Sequence, residues 1–225
     1  MPKADDLHDG NTPAWRQRAV SKSLSAARSR AEQRVQRLLD AAFALIDERG
    51  TAEFTIQEVV ERSKQSLRGF YQYFEGKDEL LFALLEESIR ESVADLGQAV
   101  ESETEPLARL RAFTICLHEW CEPLGKGRKR GSHNRLPLSE FSLQLALQDP
   151  ERLAAVTAPI SRVLIELLDA AVAAGVIRVS DTRRAALLVQ QTVMYGWLMN
   201  RFAQSPRTRV SAEDAWEFCL RGLGG

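Results

Sequence analysis

Residues 55–81 read TIQEVVERSKQSLRGFYQYFEGKDELL, Thr55 to Leu81. Thr55 and Glu58 form an S/T-x-x-E pair, which satisfies two orphan N–H groups at a helix start. Ile56, Val59 and Val60 follow at helical spacing and give that helix an apolar face. The helix is expected to stop near Ser63 and Lys64. Ser66 is placed to cap a second short helix that carries Tyr71, Gln72 and Tyr73, with Leu67, Phe70 and Phe74 on its buried face. Arg68, Gly69, Gln72 and Tyr73 fall on the other faces. Glu75 and Gly76 break the chain, and Lys77 opens a longer helix. Two short helices joined by a tight turn form the layout of a helix-turn-helix DNA reader.

The side chains suit that task. Arg pairs with guanine O6 and N7, and Gln with adenine N6 and N7. Tyrosine hydroxyls and lysine hold phosphates and set register. Gly69 lets the backbone come close to the groove.

The block Phe70-Tyr71-x-Tyr73-Phe74-x-x-Lys77-x-Glu79-Leu80-Leu81 resembles the F/L-Y-x-H/Y-F-x-x-K-x-x-L pattern of the TetR family of bacterial one-component repressors. The resemblance covers residues 30–85; the rest of the chain matches in length and helical layout only. It implies that Tyr71, Lys77 and Thr55 contact phosphates, and that Gln57, Arg68, Gly69 and Gln72 face base edges. Ser66 and Tyr73 complete the expected DNA-binding set. Two departures stand out. Lys64-Gln65 replaces the family's frequent Gly-Val in the turn, so that Lys64 must take a positive φ or the turn must be reshaped. Tyr73 stands where the family often has histidine.

Composition agrees with an ordinary folded chain. Its 225 residues are 44% hydrophobic and 27% charged, with a net charge of -1. The charge is uneven. Residues 1–39 hold eight Lys/Arg against four acids, a net +4, which leaves −5 for the remainder. A basic leading segment beside a helix-turn-helix is what a phosphate footprint requires. No run of 18 apolar residues predicts a membrane span, and the polar N-terminus lacks the apolar core of a secretion signal. Cys116, Cys121 and Cys219 give an odd count with no disulfide framework. A cytoplasmic location is the expectation.

Residues 1–29 are read as a flexible basic arm, residues 30–80 as the DNA-binding domain, and residues 81–225 as a helical ligand-binding and dimerisation domain. The bracing helix runs over about residues 30–49, with Gly50 as its stop. Beyond Glu105 only helical periodicity is found. Pro106, Asp149-Pro150, Asp181 and Ser211-x-x-Asp214 mark helix starts. The fold class is therefore all-α. The basic, glycine-rich segment 125–133 reads as a solvated loop.

Catalysis and metal binding are poorly supported. Cys116, His118 and Cys121 lie on different faces of one helix without a second ligand pair, and no GxSxG or GxGxxG motif occurs. No cofactor is expected beyond a small-molecule effector. Phe113, Leu117, Trp120, Phe141, Met194 and Trp197 are the candidate lining of an apolar effector pocket, with Gln190 and Asn200 as polar groups. The same rings could equally fill the core. Val189, Val193, Ala215 and Leu220, on the last two helices, are the candidate interface of a homodimer. The resemblance implies a regulator, most simply a repressor, that binds a palindromic operator as a dimer and is released by an apolar or amphipathic effector. The alternative is a helical interaction protein without operator-specific DNA binding.

Overall fold

The computed structural model describes residues 13–121, 136–203, 205 and 208–224. All regular secondary structure among those residues is helical, with no strand. The chain runs α1 (Ala14–Arg49), α2 (Ile56–Ser63), α3 (Leu67–Phe70), α4 (Lys77–Glu101), α5 (Pro106–Cys121), α6 (Leu136–Gln148), α7 (Pro150–Ala173), α8 (Thr182–Phe202) and α9 (Ala212–Gly222).

The helix ends lie where the local chemistry puts them. Gly50 closes α1 at φ 69°, its N–H donating to Ile46 O at 2.8 Å. Asp149, Asp181 and Ser211 cap α7, α8 and α9 by accepting from the main-chain N–H of Arg152, Arg184 and Asp214. Ser211 and Asp214 form a reciprocal capping box. Gly175, at φ 72°, follows the end of α7.

One boundary differs from the sequence expectation. Helix α1 begins at Ala14, so residues 14–29 extend the bracing helix instead of forming a flexible arm. The reason is local: from Ala14 to Ser29 the chain has neither Gly nor Pro, and its four Ala and three Arg are good helix formers. Arg28 and Glu32 add an i,i+4 pair at 2.8 Å. Residues 1–12 and the basic segment 125–133 lie outside the described residues.

Two apolar cores divide the molecule. The first gathers Leu38, Phe43 and Ile46 of α1, Val59 and Val60 of α2, Phe70, Phe74, and Leu80 through Leu85 of α4. It also takes in Phe141 and Leu145 of α6, so the reader's core extends past residue 80 and borrows from the second domain. The second core joins Leu96 and Val100 of α4 to α5, α7, α8 and α9. Ile89 packs against both. Helix α4 is thus one rigid rod whose ends lie in different cores, and the Arg152 guanidinium of α7 stacks 3.4 Å from the centre of the Phe82 ring.

Candidate nucleic-acid interface

The reader is assembled on α1. Two ion pairs fasten α2 to it: Arg49 grips Glu58 through both terminal nitrogens, and Arg62 grips Glu48 in the same bidentate way. The Arg49 and Thr55 hydrogen bonds hold the Glu58 carboxyl down at about 2. Thr55 Oγ1 accepts from Glu58 N at 3.2 Å and the Glu58 carboxylate accepts from Thr55 N at 2.7 Å, the expected capping box. The sequence offers no direct signal for the ion pairs, because their partners are nine and fourteen residues apart.

The turn adopts the strained form. Lys64 lies at φ 56°, ψ 40°, the one non-glycine residue with positive φ among the described residues. That conformation costs about 1–2 kcal/mol for an L-residue. Its N–H reaches Glu61 O, and Gln65 N–H reaches Val60 O at 2.9 Å, so the end of α2 is satisfied. Ser66 Oγ then accepts from Gly69 N at 3.0 Å and starts α3. A Cβ on Gly69 would meet that Ser66 oxygen at 3.3 Å. Glycine here therefore serves the cap as well as the open face.

Helix α3 is a single turn, shorter than the sequence suggested. Tyr71, Gln72 and Tyr73 follow it in a turn held by Tyr73 N and Phe74 N on Phe70 O. Phe70 and Phe74 are buried as expected, their ring centres 5.4 Å apart. Leu67 is not, being 43% exposed. Thr55, Gln57, Ser66, Arg68, Tyr71 and Gln72 are exposed; Gly69, Tyr73 and Lys77 are half-buried. All nine predicted DNA-binding residues lie in the segment from the start of α2 to the start of α4. Lys77 Nζ rests 4.8 Å above the Phe54 ring, which orients it. Gln57 Nε2 donates to Glu61 at 2.7 Å and must leave that partner to read a base. Arg34 is exposed on α1. It stands beside the turn because Gln65 bonds to its carbonyl oxygen.

The second domain corrects two expectations. A chamber of about 230 Å³ opens between α4, α5, α6, α7 and α8. Leu117, Trp120 and Met194 line it as predicted, and so does Gln190. Phe113 is fully buried in the second core and Phe141 packs into the first, so neither lines the chamber. The Trp197 side chain lies outside the described residues. Asn200 is spent on main-chain bonds to Val210, at 2.9 and 2.8 Å. Of the expected interface residues, Val189, Val193 and Ala215 are buried within this chain and Leu220 is half-buried. Their helical stripe faces the second core, while the outward faces carry Leu188, Met199 and Phe218. Among the described residues no group of three metal-ligating side chains occurs and no helix is long and apolar enough to cross a membrane.

An all-α chain with a capped helix-turn-helix braced by α1, followed by a helical domain enclosing a chamber, defines a DNA-reading class of protein. Residues 38–84 match the family described as bacterial regulatory proteins, tetR family. An 80-residue stretch is 32% identical to the HTH-type transcriptional regulator BetI of Brucella canis, spanning 36% of this chain and 40% of BetI. Across the whole fold, RolR in complex with resorcinol superposes with a TM-score of 0.63 at 20% identity, covering 87% of this chain and 90% of RolR. The fatty acid degradation regulator FadR from Bacillus halodurans gives 0.62 at 17%, covering 83% and 94%. The match to the tetR family is confined to residues 38–84, and the chain spans about two fifths of the length of the curated relatives it matches.

Proposed function

We propose that this protein is a cytoplasmic transcriptional regulator, acting by binding and not by catalysis, and most simply a repressor that binds a palindromic operator as a dimer. The observation that carries the reading is the exposed set Arg68, Tyr71 and Gln72 around a single-turn helix, presented by a rigidly braced α1–α2 platform. One such element reads few bases, and two half-sites related by a protein two-fold axis double the readout. The outward apolar residues Leu188 of α8 and Phe218 of α9, 60% and 69% exposed, supply a surface for the second copy.

The chamber is the effector site in this reading. It touches α4 at Leu85, Ser88, Ile89 and Ser92, and Leu85 is itself part of the reader's core. A ligand that favours one arrangement of α4 therefore shifts the reader, provided that its affinity differs between the two states. RolR was solved with resorcinol bound, so a fold of this kind accommodates a small aromatic molecule.

A footprint on DNA upstream of the gene, repeated over a salt series, tests the proposal. A protected, inverted-repeat site with a steep loss of affinity at high salt is expected. No preference over random DNA would instead favour a helical interaction protein.

A further inference from the structure

The chamber's lining is notable for what it offers a ligand. All of its described lining residues are uncharged; the polar ones are serine, threonine, glutamine and tyrosine. Ser88 and Ser92 lie one turn apart on α4, 4% and 2% exposed, and both border the chamber. Gln190, across the chamber on α8, accepts from Ser161 Oγ at 2.9 Å through Oε1, and its amide nitrogen is the donor end. Buried polar groups are normally paired, and an unpaired one is destabilising. Ser88, Ser92 and Gln190 border the chamber and offer such partners to an oxygen-bearing ligand.

We propose that the chamber binds a small, uncharged molecule with an apolar body and one or two hydroxyl or carbonyl oxygens, received by Ser88, Ser92 and Gln190. The assignment rests on the effector reading above and names the ligand class for it. The size follows from the volume: about 230 Å³ lies below the roughly 300–1,000 Å³ of drug-sized sites. The neutrality follows from desolvation. An ionised ligand would leave water for a lining whose described residues give it no opposite charge, which is strongly unfavourable. A neutral oxygen loses only water hydrogen bonds, and Ser88, Ser92 and Gln190 replace them. Leu117, Trp120, Ile160 and Met194 accept the apolar body.

The test uses one apolar body with three charges: 2-naphthol, 2-naphthoate and 2-naphthylmethylammonium at pH 7, titrated into the full-length protein by calorimetry and thermal shift. The naphthol is expected to bind saturably and raise the melting temperature, while both ions bind at least tenfold more weakly. Ser88→Ala and Ser92→Ala should each weaken the naphthol by roughly two- to tenfold, the worth of one neutral hydrogen bond. Without ligand, neither variant should melt much below the wild type, because both hydroxyls border the open chamber. A merely structural serine would behave in the opposite way. Binding of either ion as tight as the naphthol, binding of none of the three, or unchanged naphthol affinity in both serine variants would overturn the proposal. DNA affinity is read in parallel by fluorescence anisotropy. Charge-selective binding without any effect on DNA would keep the ligand class and overturn the effector role.

Discussion

Gln65 Nε2 donates to the main-chain oxygen of Arg34 at 2.6 Å, a bond that ties the turn of the helix-turn-helix to the bracing helix 31 residues earlier. It sits beside the strained Lys64, so the turn is held by a long-range bond where the family often relies on Gly-Val. Gln65→Ala should destabilise the protein by about 0.5–1.5 kcal/mol. Lys64→Gly should do the reverse. It relieves about 1–2 kcal/mol of left-handed strain and returns part of that through the greater freedom of glycine in the unfolded chain. A net gain of about 0.5–1 kcal/mol is expected, measured by urea denaturation of both variants.

Lys77→Ala should weaken binding to operator and random DNA alike and reduce the salt slope by about 1. It should also lower stability slightly, because its stacking on Phe54 is lost. Arg68→Ala, Gln57→Ala or Gln72→Ala should each cost about 1–3 kcal/mol on the operator and relax one base position. Competition binding across single-base operator variants separates the two patterns. A shifted preference in Lys77→Ala with an unchanged salt slope would reverse the assignment.

Glu58 gives a pH prediction. Its carboxyl is held at about 2, against an ordinary 4.5, by Arg49 first and Thr55 second. A carboxyl depressed by folding contributes stability that is fully present above pH 4.5 and is lost as the pH falls toward 2. Glu58→Gln should therefore melt below the wild type at neutral pH, with the gap closing through that window. A gap that stays constant down to pH 2 would mean that the ion pair contributes nothing.

The outward apolar stripe and the inward one should respond differently to charge. Leu188→Asp or Phe218→Asp should leave a folded protein of monomer mass, while Val193→Asp, buried in the second core, should abolish folding. Light scattering and circular dichroism distinguish these outcomes. A wild-type monomer at micromolar concentration, with and without DNA, would remove the dimer from the proposal.

The helical extension of α1 carries Arg16, Arg18, Lys22 and Arg28 and no acid between residues 14 and 29. Deleting residues 1–28 should weaken operator and random DNA to a similar degree and make the salt dependence shallower, as expected for phosphate contacts. A loss confined to the operator would show that the segment reads sequence.

The reader was legible because its determinants are local. Thr55 with Glu58, Ser66 with Gly69, and the strain forced on Lys64 all act within four residues. The aromatic block adds a pattern dense enough to be recognised. The extent of α1 was misjudged because polar, serine-rich composition resembles a tail, although nothing in 14–29 breaks a helix. The exposure of Leu67 and the diversion of Phe141 into the reader's core depend on tertiary packing, and periodicity carries no such information.

The sequence by itself determined the helical class, the caps and the turn, since hydrogen bonds and backbone sterics over a few residues decide them. Only the tertiary structure decided which apolar stripe of α8 and α9 faces inward, that Leu117, Trp120 and Met194 border a chamber while Phe113 does not, and that Ser88 and Ser92 border it too. Those outcomes depend on how five helices pack around a shared space, and helices of similar amphipathicity can dock in more than one rotation. The rotation is selected by the sum of contacts across the whole core, and that sum exists only once the chain has folded.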